Sequence, residues 1–200
     1  MIEAKEAAPR PQPPTRILVL GGGFAGVAAA RHLERLCGRR PDVEVTLVSR
    51  DNFFVITPLL FEACSGILEL RHCAQPIRPA LSHARFVEAT VEDVDVKRRV
   101  VRAVPREGEA YTLPYDQLVV ALGATTNESL IPGSDNAITF KTMADALVLR
   151  NHLIERFERA DATSDPVFRR TALTVVVIGG GLVGVELLGE LTAFADDILR

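Results

Sequence analysis

The sequence predicts an α/β chain: a parallel sheet with an inserted β-meander, followed by the start of a second unit of the same kind. Three observations carry that expectation. Residues 17–20, ILVL, run without alternation into three glycines, as in a strand buried on both faces of a parallel sheet. The letters that follow, FAGVAAARHLERL, form helices well and keep small residues where a helix must approach a sheet. The order of apolar strand, glycine turn and helix then returns: RILVLGGGFAG (16–26) is nearly repeated as TVVVIGGGLVG (174–184).

In chain order, residues 1–15 read as a flexible tail, with four prolines and no apolar periodicity. The tail has no apolar core of the signal-peptide type, so a cytoplasmic protein is expected. At the first turn Gly21, Gly23 and Gly26 match G-x-G-x-x-G. The first glycine permits the turn, the second lets a pyrophosphate approach the backbone, and the third allows close helix packing. The helix N-terminus adds unpaired N–H donors and a partial positive charge, which suit a diphosphate. Together these define a Rossmann-like dinucleotide-binding unit. The helix, residues 24–36, is expected to leave Arg31, Glu34 and Arg35 to solvent. Residues 43–48 read as the second parallel strand, whose end should present an acid to ribose hydroxyls. There the sequence reads Ser49, Arg50, Asp51. The serine hydroxyl could bond a ribose, Arg50 could cover the adenine or its phosphate, and Asp51 could supply the carboxylate from one step later.

Residues 52–66, broken at Pro58, are too uneven for a clean strand or helix and read as a lining segment. Residues 75–81 can start a short helix, while 85–94 and 100–104 read as paired strands, with a turn at 105–110. Residues 115–123, YDQLVVALG, form a further buried strand ending in glycine, where backbone can pass close to a cofactor. A strong helix covers 141–160, and ADATSDP reads as a linker. After it come the strand 173–178 and a helix opened by Gly179, Gly181 and Gly184. The expected organisation is a tail (1–15), an incomplete dinucleotide-binding domain (16–150), a helix end and linker (151–170) and the first β-α unit of a second dinucleotide-binding domain (171–200).

Composition excludes several classes. Hydrophobic residues make up 48% of the chain, which argues for a packed globular protein. The net charge is -3 with scattered basic residues, against a nucleic-acid partner. The uncharged run 171–185 holds three consecutive glycines and falls short of the roughly 20 residues of a membrane span. Cys37, Cys64 and Cys73 form no C-x-x-C pair and no metal-ligand spacing, so reduced, partly buried thiols and no metal are expected. His32, His72, His83 and His152 are dispersed and read as surface or packing residues.

These motifs, taken with VTLVSRDNFFVITPLL, FEACSG, IRPAL, YDQLVVALGATTN, IPG and KTMADALVLRNHLIERFERAD in that order, resemble the two-dinucleotide-binding flavoprotein oxidoreductases of the pyridine nucleotide-disulfide superfamily. Within them the likeness is to the type II NADH dehydrogenases, single-subunit NADH:quinone oxidoreductases. The resemblance implies that Gly21, Gly23, Phe24, Ala25 and Gly26 hold the FAD pyrophosphate, with Ser49, Arg50 and Asp51 near its adenosine. It puts Thr57, Pro58 and Leu59 by the ribityl chain or flavin ring, Val91 by the adenine, and Ala121, Leu122 and Gly123 beside the diphosphate. Gly179, Gly181, Leu182, Val183 and Gly184 would bind NADH, and Glu186 would face nicotinamide and flavin as the catalytic residue. Read from its position alone, Glu186 is a first-turn acid favoured by the helix dipole. Two cradles then follow from the chemistry, because a hydride passes from one dinucleotide to the other.

The acceptor implied is a quinone, with membrane-surface contact through a C-terminal part the sequence lacks, peripheral association with the inner face of the cell membrane, and room for a homodimer. The chain looks like an N-terminal fragment, expected to bind FAD weakly at most and to be inactive alone. The alternatives are a sulfide:quinone or ferredoxin reductase of the same fold, which would need reactive cysteines or an iron–sulfur partner, and a non-catalytic nucleotide-binding fragment.

Overall fold

A computed structural model describes residues 13–37, 40–128 and 131–198, so most of the expected tail lies outside the described residues. The chain divides into two compact units. One holds the residues up to Phe54 together with Pro76–Gly123, and the other holds Val55–Gln75 together with the residues from Ala124 onward. The span 16–150, expected as a single domain, contributes to both. The strands are β1 (Thr15–Leu20), β2 (Val43–Ser49), β3 (Phe53–Val55), β4 (Ala74–Pro76), β5 (Arg85–Glu88), β6 (Thr90–Asp95), β7 (Val100–Val104), β8 (Tyr111–Pro114) and β9 (Gln117–Val120). The helices are α1 (Phe24–Cys37), α2 (Leu60–Ser65), α3 (Met143–Ala162), α4 (Pro166–Ala172) and α5 (Leu182–Ile198).

In the first unit β5, β2, β1 and β9 form a parallel sheet in that order, confirming the α/β class. Successive side chains alternate across it. Val19, Leu47 and Phe86 pack against Val27 and Ala30 of α1 on one face. Leu18, Leu20 and Val48 pack against Val101 and Ala103 on the other, under an antiparallel meander of β6, β7 and β8. Each such buried leucine or valine contributes roughly 1.5–3 kcal/mol. Arg16 ties β1 to β9: its backbone N–H and guanidinium both donate to Asp116, at 2.8 and 3.1 Å. Those bonds hold the Asp116 carboxyl down at about 2.

Residues 85–94 are not one strand of a pair. β5 joins the parallel sheet beside β2, and only β6 pairs with β7. The chain changes sheets at Ala89, whose N–H donates to the carbonyl of Ser49 at 2.8 Å. β9 is shorter than the expected 115–123 and ends at Val120. Glu34 is the larger correction, because it does not face solvent. It is 8% exposed, and its carboxylate accepts from the backbone N–H groups of Ser82, His83 and Ala84 at 2.9–3.2 Å.

The second unit is helical. α2, α3 and α5 share a core of Leu60, Phe61, Cys64, Leu149, Leu153, Leu187 and Leu191. α3 begins with a capping box: Thr142 accepts from the Asp145 N–H at 3.1 Å, and Asp145 accepts from the Thr142 N–H at 2.8 Å. Segment 52–66 resolves into β3, a single 3-10 turn at Thr57–Leu59 and α2. Part of the expected linker is helix α4, opened by the Asp165 cap and by Pro166, whose fixed φ suits a first helical position. The apolar stretch 173–178 is not a strand here. A strand exists through hydrogen bonds to neighbours, and among the described residues none lies beside it, so Val175 and Val176 are exposed.

Candidate functional site

Both glycine turns are built alike. Gly21 and Gly179 take φ of +102° and +109°, a region that L side chains rarely adopt. A Cβ on Gly26 would collide with the carbonyl oxygen of Gly21, and one on Gly184 with that of Gly179. These third glycines are required by close packing of the helix on its own turn. Val27 donates to Gly23 at 3.0 Å and Val185 to Gly181 at 3.1 Å, so each helix starts from the middle glycine. Gly23 and Gly181 carry neither constraint: neither takes a positive φ, and a Cβ on either meets nothing within 4 Å. Protein packing does not demand glycine there, whereas a diphosphate lying on the helix N-terminus does. The turns fit the groups expected of them.

The first turn sits where the sheet order reverses. The chain passes from β1 outward to β2 and β5, then returns to β9 on the other side of β1, so the crevice opens at the carboxyl ends of β1 and β9. Gly21 and Ala121 face each other across it, so closely that a Cβ on Gly21 would strike the Ala121 carbonyl. Leu122 is exposed, and Gly123 (φ +77°) has open space around it. Phe24 is 52% exposed, with its ring edge-on to Phe54 at 5.6 Å, and Ala25 is exposed beside it. Arg50 and Asp51 pair with each other at 3.2 Å, while Ser49 is buried. The Val91 side chain lies partly buried against the meander-side core.

In the second unit a cavity of about 400 Å³ is lined by Thr57, Pro58, Phe140, Lys141, Val183 and Glu186. It brings together Thr57, Pro58 and Glu186 from distant segments of the chain, whereas Leu59 packs against the helical core. Lys141 carries no sequence signal for this place and was not anticipated. Glu186 is the fifth residue of α5, and the first turn holds no acid, so the reading of Glu186 as a first-turn dipole partner fails. Gly179, Gly181, Leu182, Val183 and Gly184 line a second cleft of about 840 Å³. Burial pushes the Cys64 thiol up to about 11, against the lowering effect of Arg150, and burial raises Cys73 as well. Neither is a ready thiolate at neutral pH.

Residues 15–199 match the pyridine nucleotide-disulphide oxidoreductase family, and the chain belongs to that family. It is 34% identical over 200 residues to the type II NADH:quinone oxidoreductase Ndh of Mycobacterium tuberculosis, covering 96% of this chain and 42% of that protein. It is 34% identical to the mitochondrial external alternative NADH-ubiquinone oxidoreductase of Yarrowia lipolytica, covering 92% of this chain and 33% of that one. The solved structure of NDH2 from Plasmodium falciparum in complex with NADH superposes with a TM-score of 0.77 at 28% identity, over 92% of this chain and 38% of that one. The chain thus spans about two fifths or less of these relatives.

Proposed function

We propose that this chain supplies the FAD-binding turn and the NADH-binding turn of an enzyme that moves a hydride from NADH to FAD and then electrons to a quinone. The observation that carries the proposal is the matched pair of turns, each open at its middle glycine and closed at its third. The names and folds of the relatives support the choice of NADH and quinone.

Bound FAD would supply the hydride acceptor and the electron donor to the quinone. The residues around it orient and bind. In this reading the amides after Gly23, with Phe24, Ala25 and Gly26, hold the FAD diphosphate against the positive end of α1, and Ala121, Leu122 and Gly123 border it. Arg50 and Asp51 lie toward the adenosine, and Thr57 and Pro58 border the flavin end. Gly179, Gly181, Leu182, Val183 and Gly184 hold the NADH diphosphate. Peripheral contact with a membrane and a homodimer belong to the same reading; no helix among the described residues is long and apolar enough to cross a membrane. The sulfide-oxidising alternative needs a reactive thiolate, and the raised Cys64 and Cys73 thiols argue against it.

Glu186 is the catalytic residue of this reading, its carboxylate orienting the nicotinamide from the cavity wall. Glu186→Gln in the holoenzyme is expected to slow flavin reduction at saturating NADH by about tenfold, or ~1.4 kcal/mol of transition-state stabilisation, with stability unchanged. Stopped-flow loss of flavin absorbance measures this, and an unchanged rate removes Glu186 from the site.

A further inference from the structure

The adenosine end of the first turn lacks its acid at the usual place. β2 ends at Ser49, and that side chain is enclosed: it is 8% exposed, and a Cβ on Gly22 would collide with its Oγ and Cβ on one side and with Ile77 on the other. Asp51, the next carboxylate along the chain, is already paired with Arg50 at 3.2 Å.

The adjoining strand ends differently. β5 runs parallel to β2 with Glu88 in register opposite Ser49, so the two residues occupy neighbouring lanes of the carboxyl edge, about 4.8 Å apart by strand spacing. Side chains two apart on a strand share a face. Phe86 packs against Val27 and Ala30 of α1, which brings Glu88 out on the α1 side of the sheet, the side of the glycine turn. Glu88 is half-buried, and its carboxylate makes no ion pair or hydrogen bond among the described residues. A dinucleotide whose diphosphate lies on the β1 turn carries its adenosine away from β9, across the ends of β2 and then β5.

We propose that Glu88, at the end of β5, is the carboxylate that accepts hydrogen bonds from the adenosine ribose hydroxyls, in place of an acid at the end of β2. The proposal rests on the reading of the Gly21–Gly26 turn as the FAD site. A carboxylate accepting from two hydroxyls makes short, charge-assisted bonds. Ser49, in turn, is a small, buried side chain beside Gly22.

The test is calorimetric titration of the chain with ADP, which carries the adenosine and diphosphate without the flavin, with circular dichroism to verify folding. Glu88→Ala is expected to weaken ADP binding by about tenfold, equivalent to ~1.4 kcal/mol, and Glu88→Gln by less. With 2′,3′-dideoxy-ADP, which lacks both donors, wild type and Glu88→Ala are expected to bind alike. Two results overturn the proposal while leaving the site intact. In one, Glu88→Ala binds ADP as tightly as wild type although Gly23→Val has lost it. In the other, Glu88→Ala weakens ADP and its dideoxy analogue equally. If wild type does not bind ADP, or Gly23→Val binds it undiminished, the reading of the turn itself fails and the proposal falls with it.

Discussion

Gly23→Val is expected to abolish flavin loading in the holoenzyme while leaving the protein folded. The two halves of that expectation come from one observation. A Cβ at Gly23 meets no protein atom within 4 Å and the residue does not need a positive φ, so valine is tolerated by the chain itself. The space it enters is the space a diphosphate needs in order to reach the amides at the start of α1. Hydrogen bonds to a charged group contribute about 1.5–3 kcal/mol each, so losing two of them weakens FAD by a hundredfold or more, ~2.7 kcal/mol. Gly26 could not serve as this probe, because its Cβ would strike Gly21 and the fold would fail with the site. Flavin absorbance per folded protein measures the effect. Wild-type flavin content in a folded Gly23→Val variant contradicts the assignment of the first turn.

Glu34→Gln is the second large effect, and it falls on stability. The glutamate on α1 binds three consecutive backbone N–H groups that lead into β5, and glutamine offers one acceptor oxygen and two mismatched donors in their place. The expected loss is about 2 kcal/mol at neutral pH, read from the urea midpoint. Acid should show the same device. Burial pushes the Glu34 carboxyl up, but the donors of His83, Ala84 and Ser82 together outweigh it and hold the group below the usual glutamate range. A folded-state pKa below the unfolded one stabilises the fold above the unfolded value of about 4.3, and that contribution is lost as pH falls through the lowered value. Wild type should therefore lose more stability than Glu34→Gln on acidification below that point. Parallel acid limbs for the two proteins contradict it.

Both turns and the strands β1 and β2 were legible because they depend on local signals: unbroken apolar runs and glycines at fixed spacing. Glu34 was not. Its partners lie 48 to 50 residues away and are backbone amides, which carry no side-chain signature. The letters of 173–178 are those of a buried strand, yet strand formation depends on neighbours that composition does not supply. Splitting 85–94 between two sheets was hidden for a related reason, since the apolar pattern continues across the switch at Ala89. At the candidate site, Thr57, Pro58 and Glu186 were named through the resemblance alone, while Lys141, set just before the α3 capping box, joined them only through folding. The error at Glu186 was one of helix phase: α5 starts at Leu182, so a residue two places after the last glycine already lies in the second turn.

If each turn serves its own dinucleotide, anaerobic mixing of the holoenzyme with NADH must separate wild type from Gly181→Val. Like Gly23, Gly181 has open space where a Cβ would stand, so the variant should fold. Wild type is expected to lose its flavin absorbance on mixing, and Gly181→Val to keep full flavin content while bleaching at least about a hundredfold more slowly at a fixed low NADH concentration, ~2.7 kcal/mol. Bleaching at the wild-type rate in Gly181→Val, or no bleaching of wild type by NADH, would contradict the account.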